Sequence, residues 1–274
     1  LIHIISKKPS FEFGGMGEIS YGNFDFIRAQ AAITGPLTET IAGRLEGVYV
    51  KRDGFYRDPA NNTRVNDRDR YFVRGQLLFE PNEDLSFRLI GDYTKRDEKC
   101  CAATFLGNDV VPSIGNLNNP ATPLVVGGAI NPNGNNIINV ITALGQNPAR
   151  FSNAFNRIIS VTPGRSYAGE TEDWGVSLEA NWDLGAATLT SITGYRDYKS
   201  PQASDTDYSS VDILYRAPGL TGRSFQTFSQ ELRLQGSLFD DKLDWLVGAF
   251  YADEDLTVND NLRFGAQYGR FANC

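Results

Sequence analysis

Residues 173–184 read Asp-Trp-Gly-Val-Ser-Leu-Glu-Ala-Asn-Trp-Asp-Leu, apolar or small at every even position and polar or glycine at every odd one. A β-strand sends successive side chains to opposite faces, so this segment has one wholly apolar face and one wholly polar face. It is long for a strand of a small soluble sheet. Trp174 and Trp182 stand near the two ends of its apolar face. Such a strand suits a tilted crossing of a bilayer, with lipid on one side and water or a polar filling on the other.

One alternating strand proves little, because antiparallel soluble sheets alternate too. Here the pattern recurs. Residues 25–34 set Ile27, Ala29, Ala31 and Ile33 against Arg28, Gln30 and Thr34, and residues 40–51 set Ile41, Leu45 and Tyr49 against Arg44 and Glu46. Residues 69–80 set Tyr71, Val73, Leu77 and Phe79 against Arg70, Arg74, Gln76 and Glu80. Residues 85–97 set Leu85, Phe87, Leu89 and Tyr93 against Arg88, Asp92 and Arg96. Residues 228–235 set Phe228, Leu232 and Leu234 against Glu231 and Arg233. In residues 243–251 the apolar face carries Leu243, Trp245, Val247, Ala249 and Tyr251, with Leu246 and Phe250 weakening the contrast. Residues 187–198 read as a strand of ambiguous facing, and a Gly-rich strand opens the series near residues 15–22. The count is about nine strands of roughly ten residues, the length a membrane barrel needs.

The connections alternate in length. Residues 35–38, 80–84, 183–186 and 239–242 are short turns of Gly, Pro, Asn and Asp,. Between them lie long connections at about 52–68, 98–171 and 200–223. Short turns at one end and long loops at the other is the plan of outer-membrane barrels. Mean hydropathy is −0.32, and no apolar run approaches the length of a membrane helix,. A net charge of −7 argues against nucleic acid as a partner,.

The polar faces carry opposite charges throughout, among them Glu18, Arg28, Arg44, Glu46, Arg74, Arg88, Asp92, Arg96, Asp173, Glu179, Glu231 and Arg233. In a barrel these line the lumen and pair across strands; in a solvated sheet they are cross-strand pairs only. No G-x-S-x-G, P-loop or H-E-x-x-H pattern is present, so no catalytic residue is assigned and no enzyme is expected,. No cofactor or metal is expected either: the single His3 is far from the cysteines, and adjacent cysteines are not a zinc spacing,.

Residues 1–9, Leu-Ile-His-Ile-Ile-Ser-Lys-Lys-Pro, resemble the last plug strand of TonB-dependent outer-membrane receptors. Blocks similar to that family follow in order: 17–22 (Gly-Glu-Ile-Ser-Tyr-Gly), 33–37 (Ile-Thr-Gly-Pro-Leu), 52–55 (Arg-Asp-Gly-Phe), 74–81 (Arg-Gly-Gln-Leu-Leu-Phe-Glu-Pro), 191–196 (Ser-Ile-Thr-Gly-Tyr-Arg) and 229–234 (Ser-Gln-Glu-Leu-Arg-Leu). The resemblance implies an all-β fold, an antiparallel transmembrane β-barrel of about 22 strands with a plugged lumen. Residues 1–10 would be the end of the plug and its linker, and 11–274 the N-terminal part of the barrel, so the chain is expected to be a fragment. The implied function is TonB-energised uptake of a scarce solute across the bacterial outer membrane, with a ferric siderophore as the default small-molecule ligand. The partners would be the TonB complex, through a segment ahead of residue 1, and outer-membrane lipid. A barrel enzyme and a passive porin are the alternatives.

The resemblance places ligand recognition in the long loops. The 98–171 loop contains two helical patterns, one capped by Asn136 with Ile137, Val140, Ile141 and Leu144 and stopped by Gly145,. The other opens at Asn147-Pro148 and carries Phe151, Phe155, Ile158 and Ile159,. The candidate ligand-binding residues are Phe105, Arg150, Phe151, Asn153, Phe155, Arg157 and Arg165 in this loop, and Tyr208, Tyr215 and Arg216 in the 200–223 loop. Arginine forks suit carboxylates, and aromatic walls suit catecholate or sugar faces. Cys100, Cys101 and Cys274 fall in the same loops, where an oxidising compartment permits disulfides, leaving one cysteine over,.

Overall fold

The computed structural model describes residues 6–104, 137–151, 154–240 and 242–272. Nine strands form one antiparallel sheet: β1 (Gly14–Gly22), β2 (Phe26–Pro36), β3 (Ile41–Arg52), β6 (Arg68–Asn82), β7 (Leu85–Lys99), β8 (Ala168–Asp183), β9 (Thr188–Pro201), β12 (Gly222–Leu238) and β13 (Leu243–Asn259). They are ordered in the sheet as in the chain, each hydrogen-bonded to its predecessor. This is a meander built wholly of hairpins, the up-and-down plan of a barrel wall.

The short strands lie in the long loops. β4 (Tyr56–Asp58) and β5 (Thr63–Val65) form a hairpin within the loop after β3. β10 (Ser204–Asp205), β11 (Leu214–Arg216) and β14 (Leu262–Phe264) form a three-stranded sheet that joins the loops after β9 and β13.

Register sets the faces. The outward rows include Leu77–Leu89–Leu178, Val73–Tyr93–Trp174 and Val176–Tyr195–Phe228. Large apolar side chains stand bare along this face, including Ile33, Leu45, Val73, Leu178 and Leu232. Near the long-loop end an aromatic girdle forms, with Tyr71–Tyr93, Trp174–Tyr195 and Phe228–Tyr251 ring centroids 5.8, 5.5 and 6.4 Å apart. Trp182 and the stacked Phe79–Phe87 pair mark the turn end. From Trp174 to Trp182 is about 26 Å along the strand, or about 20 Å of height at a barrel's tilt. That matches a thin hydrocarbon core.

Above the girdle the outward face turns charged. Lys95 lies 2.6 Å from Glu170 and 3.0 Å from Glu172, and Lys199 lies 3.3 Å from Asp197. The strands therefore continue past the apolar band, which is why β8 begins at Ala168 and β12 at Gly222, several residues earlier than alternation alone indicates.

The ambiguous strand is resolved as β9. Leu189, Ser191, Thr193 and Tyr195 face outward, and Ile192 sits inward between Glu179 and Glu231. Its outward polar groups are satisfied locally, since Gln230 Nε2 donates to Ser191 Oγ (3.0 Å) and Thr193 Oγ1 donates to Gln230 Oε1. A hydrogen-bonded cluster of this kind tolerates an apolar surrounding far better than orphaned groups do.

Candidate functional site

Two polar regions are built on this sheet: the inner wall and the long-loop end. On the inner wall one rung runs Glu46–Arg74–Asp92–Gly175–Arg196–Thr227 across six strands. Arg74 pairs with Glu46 (3.6 Å) and Asp92 (3.3 Å), and Arg196 pairs with Asp92 (3.0 Å) and Asp173 (2.6 Å). Arg196 reaches Asp92, two strands away, because the intervening position is glycine. A Cβ at Gly175 would lie 2.9 Å from Arg196 Nη2 and 3.0 Å from Tyr195 O. With Arg44–Glu46 at 3.1 Å, three arginines and three acids alternate without a spare charge. Along this stretch Arg44, Arg74 and Arg196 are all paired with acids.

Lower on the wall, Arg88 is 6% exposed and holds the segment before β1. Its Nη2 donates to Ser6 Oγ (2.9 Å) and Ser6 O (3.2 Å), and Gln76 Nε2 donates to Lys7 O (3.1 Å). Glu179 stands 3.8 Å from Arg88 and 4.0 Å from Lys8. Residues 6–13 form no strand but lie along the inner wall as far as Ser10, whose N–H donates to Thr34 Oγ1. Replacing Arg88 with methionine should leave the Ser6 carbonyl and hydroxyl without the Arg88 donor, costing about 1–3 kcal/mol. Proteolysis near Lys7 and Lys8 should rise, whereas unchanged cleavage would show that Arg88 does not hold this segment.

At the other end the loops fold together around two small cores. The first comprises Val65, Ala102, Ile159, Val161 and Tyr167, with Tyr56 against it. The second comprises Ile141, Leu144, Val211 and Ile213, with Tyr268 and Phe271 against it. Val140 and Ile141 of helix α1 (Ile137–Ala143), with Leu144 just beyond it, enter this core as the 3.6-residue spacing predicts, and Gly145 follows at φ 115°. The cap residue Asn136 lies outside the described residues. The second expected helix is instead two 3-10 turns, Pro148–Phe151 and Ala154–Asn156, after which Ile159 is buried in extended chain. Tertiary burial of Ile159 and Val161 overrides the helical period there.

Buried polar groups stitch the loops. Gln146 accepts from Ser210 N–H (2.6 Å) and donates to Ser160 Oγ (2.9 Å), and Gln267 donates to Leu144 O (3.0 Å). Helix α2 (Tyr268–Ala272) closes the cap.

The candidate side chains are largely engaged in this packing. Arg165 makes a forked pair with Asp212 (2.8 Å to each oxygen) and lies 3.3 Å from the Tyr215 ring centroid. Burial pulls the Arg165 pKa down, but Asp212 more than offsets it and the net direction is upward. Arg216 pairs with Asp260 at 2.7 Å, which raises the guanidinium's pKa and lowers that of Asp260. Tyr208 stacks on Tyr167 at 6.3 Å, and Arg157 lies over the Phe24 ring at 5.3 Å. Phe155 is 92% exposed, Arg150 is half-buried in the first 3-10 turn, and Phe151 ends that turn. Phe105, Asn153 and Cys274 lie outside the described residues. Cys100 and Cys101 are bonded to each other, where Cys100 N–H donates to Tyr167 O.

Residues not singled out from the sequence form a further cluster at this end. Phe24, Phe55 and Tyr56 pack at 6.3 and 4.7 Å, with Arg52 over Phe55 at 5.0 Å. The adjacent Arg52-Asp53-Gly54-Phe55 block was the only local sign of it.

No family model matches the chain. The ferripyoverdine receptor of Pseudomonas aeruginosa is 33% identical over 100 residues, which is 36% of this chain but 11% of that receptor. Solved structures match nearly the whole chain at low identity. The ferric yersiniabactin uptake receptor of Yersinia pestis aligns with a TM-score of 0.63 and 11% identity over 92% of this chain and 32% of its own. The siderophore receptor of Acinetobacter baumannii gives 0.59 and 15% over 97% and 34%. The ferric-catecholate import receptor of Escherichia coli gives 0.60 and 15% over 92% and 33%. The chain thus spans about a third of the length of these structures. Its fold is that of a stretch of an outer-membrane receptor barrel, in agreement with the resemblance to TonB-dependent receptors.

Proposed function

We propose that this chain is part of a bacterial outer-membrane receptor that binds a ferric siderophore outside the cell and takes it up with energy delivered through the TonB complex. The observation that carries this reading is the pairing of a lipid-compatible outward face with a folded cap over the same nine strands. A barrel wall holds the protein in the membrane, and a cap of four interlocked loops gives it a shaped surface on the outside,. The names of the relatives, a siderophore receptor and receptors for ferripyoverdine, ferric yersiniabactin and ferric catecholate, supply the ligand class. Residues 6–10 on the inner wall, held by Arg88 and Gln76, support reading them as the linker from a plug domain, which disfavours an open porin.

On this reading Arg150 and Phe155 among the candidates, and the further cluster of Phe24, Phe55 and Arg52, are the side chains to test against a ligand, while the ion pairs of Arg165 and Arg216 support a role in holding the cap in shape. The Cys100–Cys101 bond lies at the cap's base. No chemistry beyond binding and transport is assigned to the chain.

Binding and uptake of radioactive iron on hydroxamate, catecholate and phenolate siderophores separate the readings. Cells expressing the full-length protein should bind one class tightly with or without TonB, and accumulate it only with TonB. Uptake that persists without TonB would overturn the receptor reading in favour of a passive pore.

A further inference from the structure

Residues 157–162 of the loop after β7 are gripped from both sides. Toward the loop after β3, Arg57 N–H donates to Arg157 O (2.9 Å), Ile159 N–H to Arg57 O (3.0 Å) and Val161 N–H to Asp58 Oδ2 (3.2 Å). Toward the loop after β9, the next amide, Thr162 N–H, donates to Asp205 Oδ2 at 2.7 Å. Asp58 and Asp205 are each 1% exposed.

The two aspartates differ in what else reaches their oxygens. Asp58 Oδ1 accepts from Ala60 N–H (3.0 Å), and its Oδ2 also accepts from Asn61 Nδ2. Asp205 Oδ1 is buried with no partner among the described residues. An anionic oxygen buried without a donor is costly, and a proton on that oxygen removes the charge.

The charged neighbours of Asp205 favour the proton, against the pull of Thr162 hydrogen bonding toward the carboxylate. Within its own loop, Asp207 and Asp212 both repel an added negative charge. The Asp207 carboxylate already accepts from the N–H groups of Ser209, Ile213 and Leu214, and Asp212 is paired with Arg165. Among the described residues no group of three or more acidic, histidine or cysteine side chains is gathered so as to hold a metal ion. From the loop after β7, Tyr167 donates its hydroxyl to Asp205 O (2.8 Å), and burial pushes its phenol well above the usual range. From β14, Arg263 stands two strands away in register and donates to Asn261 Oδ1 instead.

We propose that Asp205 is a proton-operated latch between the two loops: with its carboxyl protonated the Thr162–Asp205 junction stays closed, and loss of that proton to solvent loosens it. Burial, followed by the Asp207 charge, pushes Asp205 from the ordinary 3.8 up to about 7. The sign follows from linkage. Between those two values the closed form binds a proton that the opened form has released, so closure weakens as pH rises from 3.8 to about 7,. Below and above that window the effect is flat. Within it the opening equilibrium shifts by close to tenfold per pH unit.

Hydrogen exchange of the full-length protein in detergent micelles, corrected for the chemical exchange rate, tests this. Protection of peptides spanning 157–167 and 203–212 should fall by nearly tenfold per pH unit through the window, while the barrel strands stay level. Asp205→Asn keeps an acceptor for Thr162 and should flatten the profile at the protected level; Asp58→Asn should keep the wild-type slope. A level wild-type profile, or an Asp205→Asn profile that keeps the slope, would overturn the latch. So would protection restored at pH 8 by millimolar calcium, which would make the site a cation site. Should Asp205→Asn fail to assemble, the wild-type profile and the calcium arm still decide.

Discussion

Arginine at Val176 or Leu178 should destabilise the barrel by about 2–4 kcal/mol, the cost of a cation on the lipid face near mid-membrane. Both side chains project from the apolar band between Trp174 and Trp182, and their cross-strand neighbours are Gly91 and Tyr195, and Leu89 and Thr193. None of these direct cross-strand neighbours is an acid that could pair with a guanidinium. Arginine at Ser177 should cost less than about 1 kcal/mol. Ser177 faces inward onto a wall depression of about 280 Å³ lined by Asp92, Gly194, Arg196 and Ser229, where water and an acid are within reach. Folding of the full-length protein into lipid vesicles, followed by denaturant titration, measures all three variants. Equal losses at 176 and 177 would sink the assignment of faces.

The sheet was legible in the sequence because a membrane strand must keep one face apolar over its whole crossing, and a period of two is hard to mimic by chance. Where that requirement lapses, legibility lapses too. Lys95, Glu172 and Lys199 occupy outward positions above the aromatic girdle, so alternation fades while the hydrogen-bond ladder continues. Ser191 and Thr193 blur β9 because their polarity is cancelled by Gln230, which lies 37 or more residues away.

The cap was legible only in α1, whose stripe has a local period. Its other ties are long-range: Gln146 to Ser210, Asp205 to Thr162 and Gln267 to Leu144 are 64, 43 and 123 residues apart. No local signal encodes them. For the same reason an arginine count marked Arg165 and Arg216 as free to grip a ligand, while their acids, Asp212 and Asp260, stand 47 and 44 residues on.

Because the second core draws on three loops, the cap should fail as a unit. Ile141 and Val211 are 3% and 1% exposed and come from different loops, with Tyr268 and Phe271 of a third packed against them. Ile141→Ala should cost about 2–5 kcal/mol of cap stability. Exchange protection should then drop together in residues 137–146, 203–214 and 262–272, with the nine-stranded sheet unchanged. Deleting residues 105–165 removes the helix altogether and uncovers Val211 and Ile213. On the receptor reading, that deletion should weaken siderophore binding to whole cells by about a hundredfold or more, equivalent to about 2.8 kcal/mol, and leave the barrel assembled. Ile141→Ala separates the two contributions. If it lowers affinity in proportion to the opened fraction, the cap binds as a pre-formed surface. If affinity survives the deletion itself, recognition resides outside this cap, and the Phe24, Phe55 and Arg52 cluster becomes the next place to test.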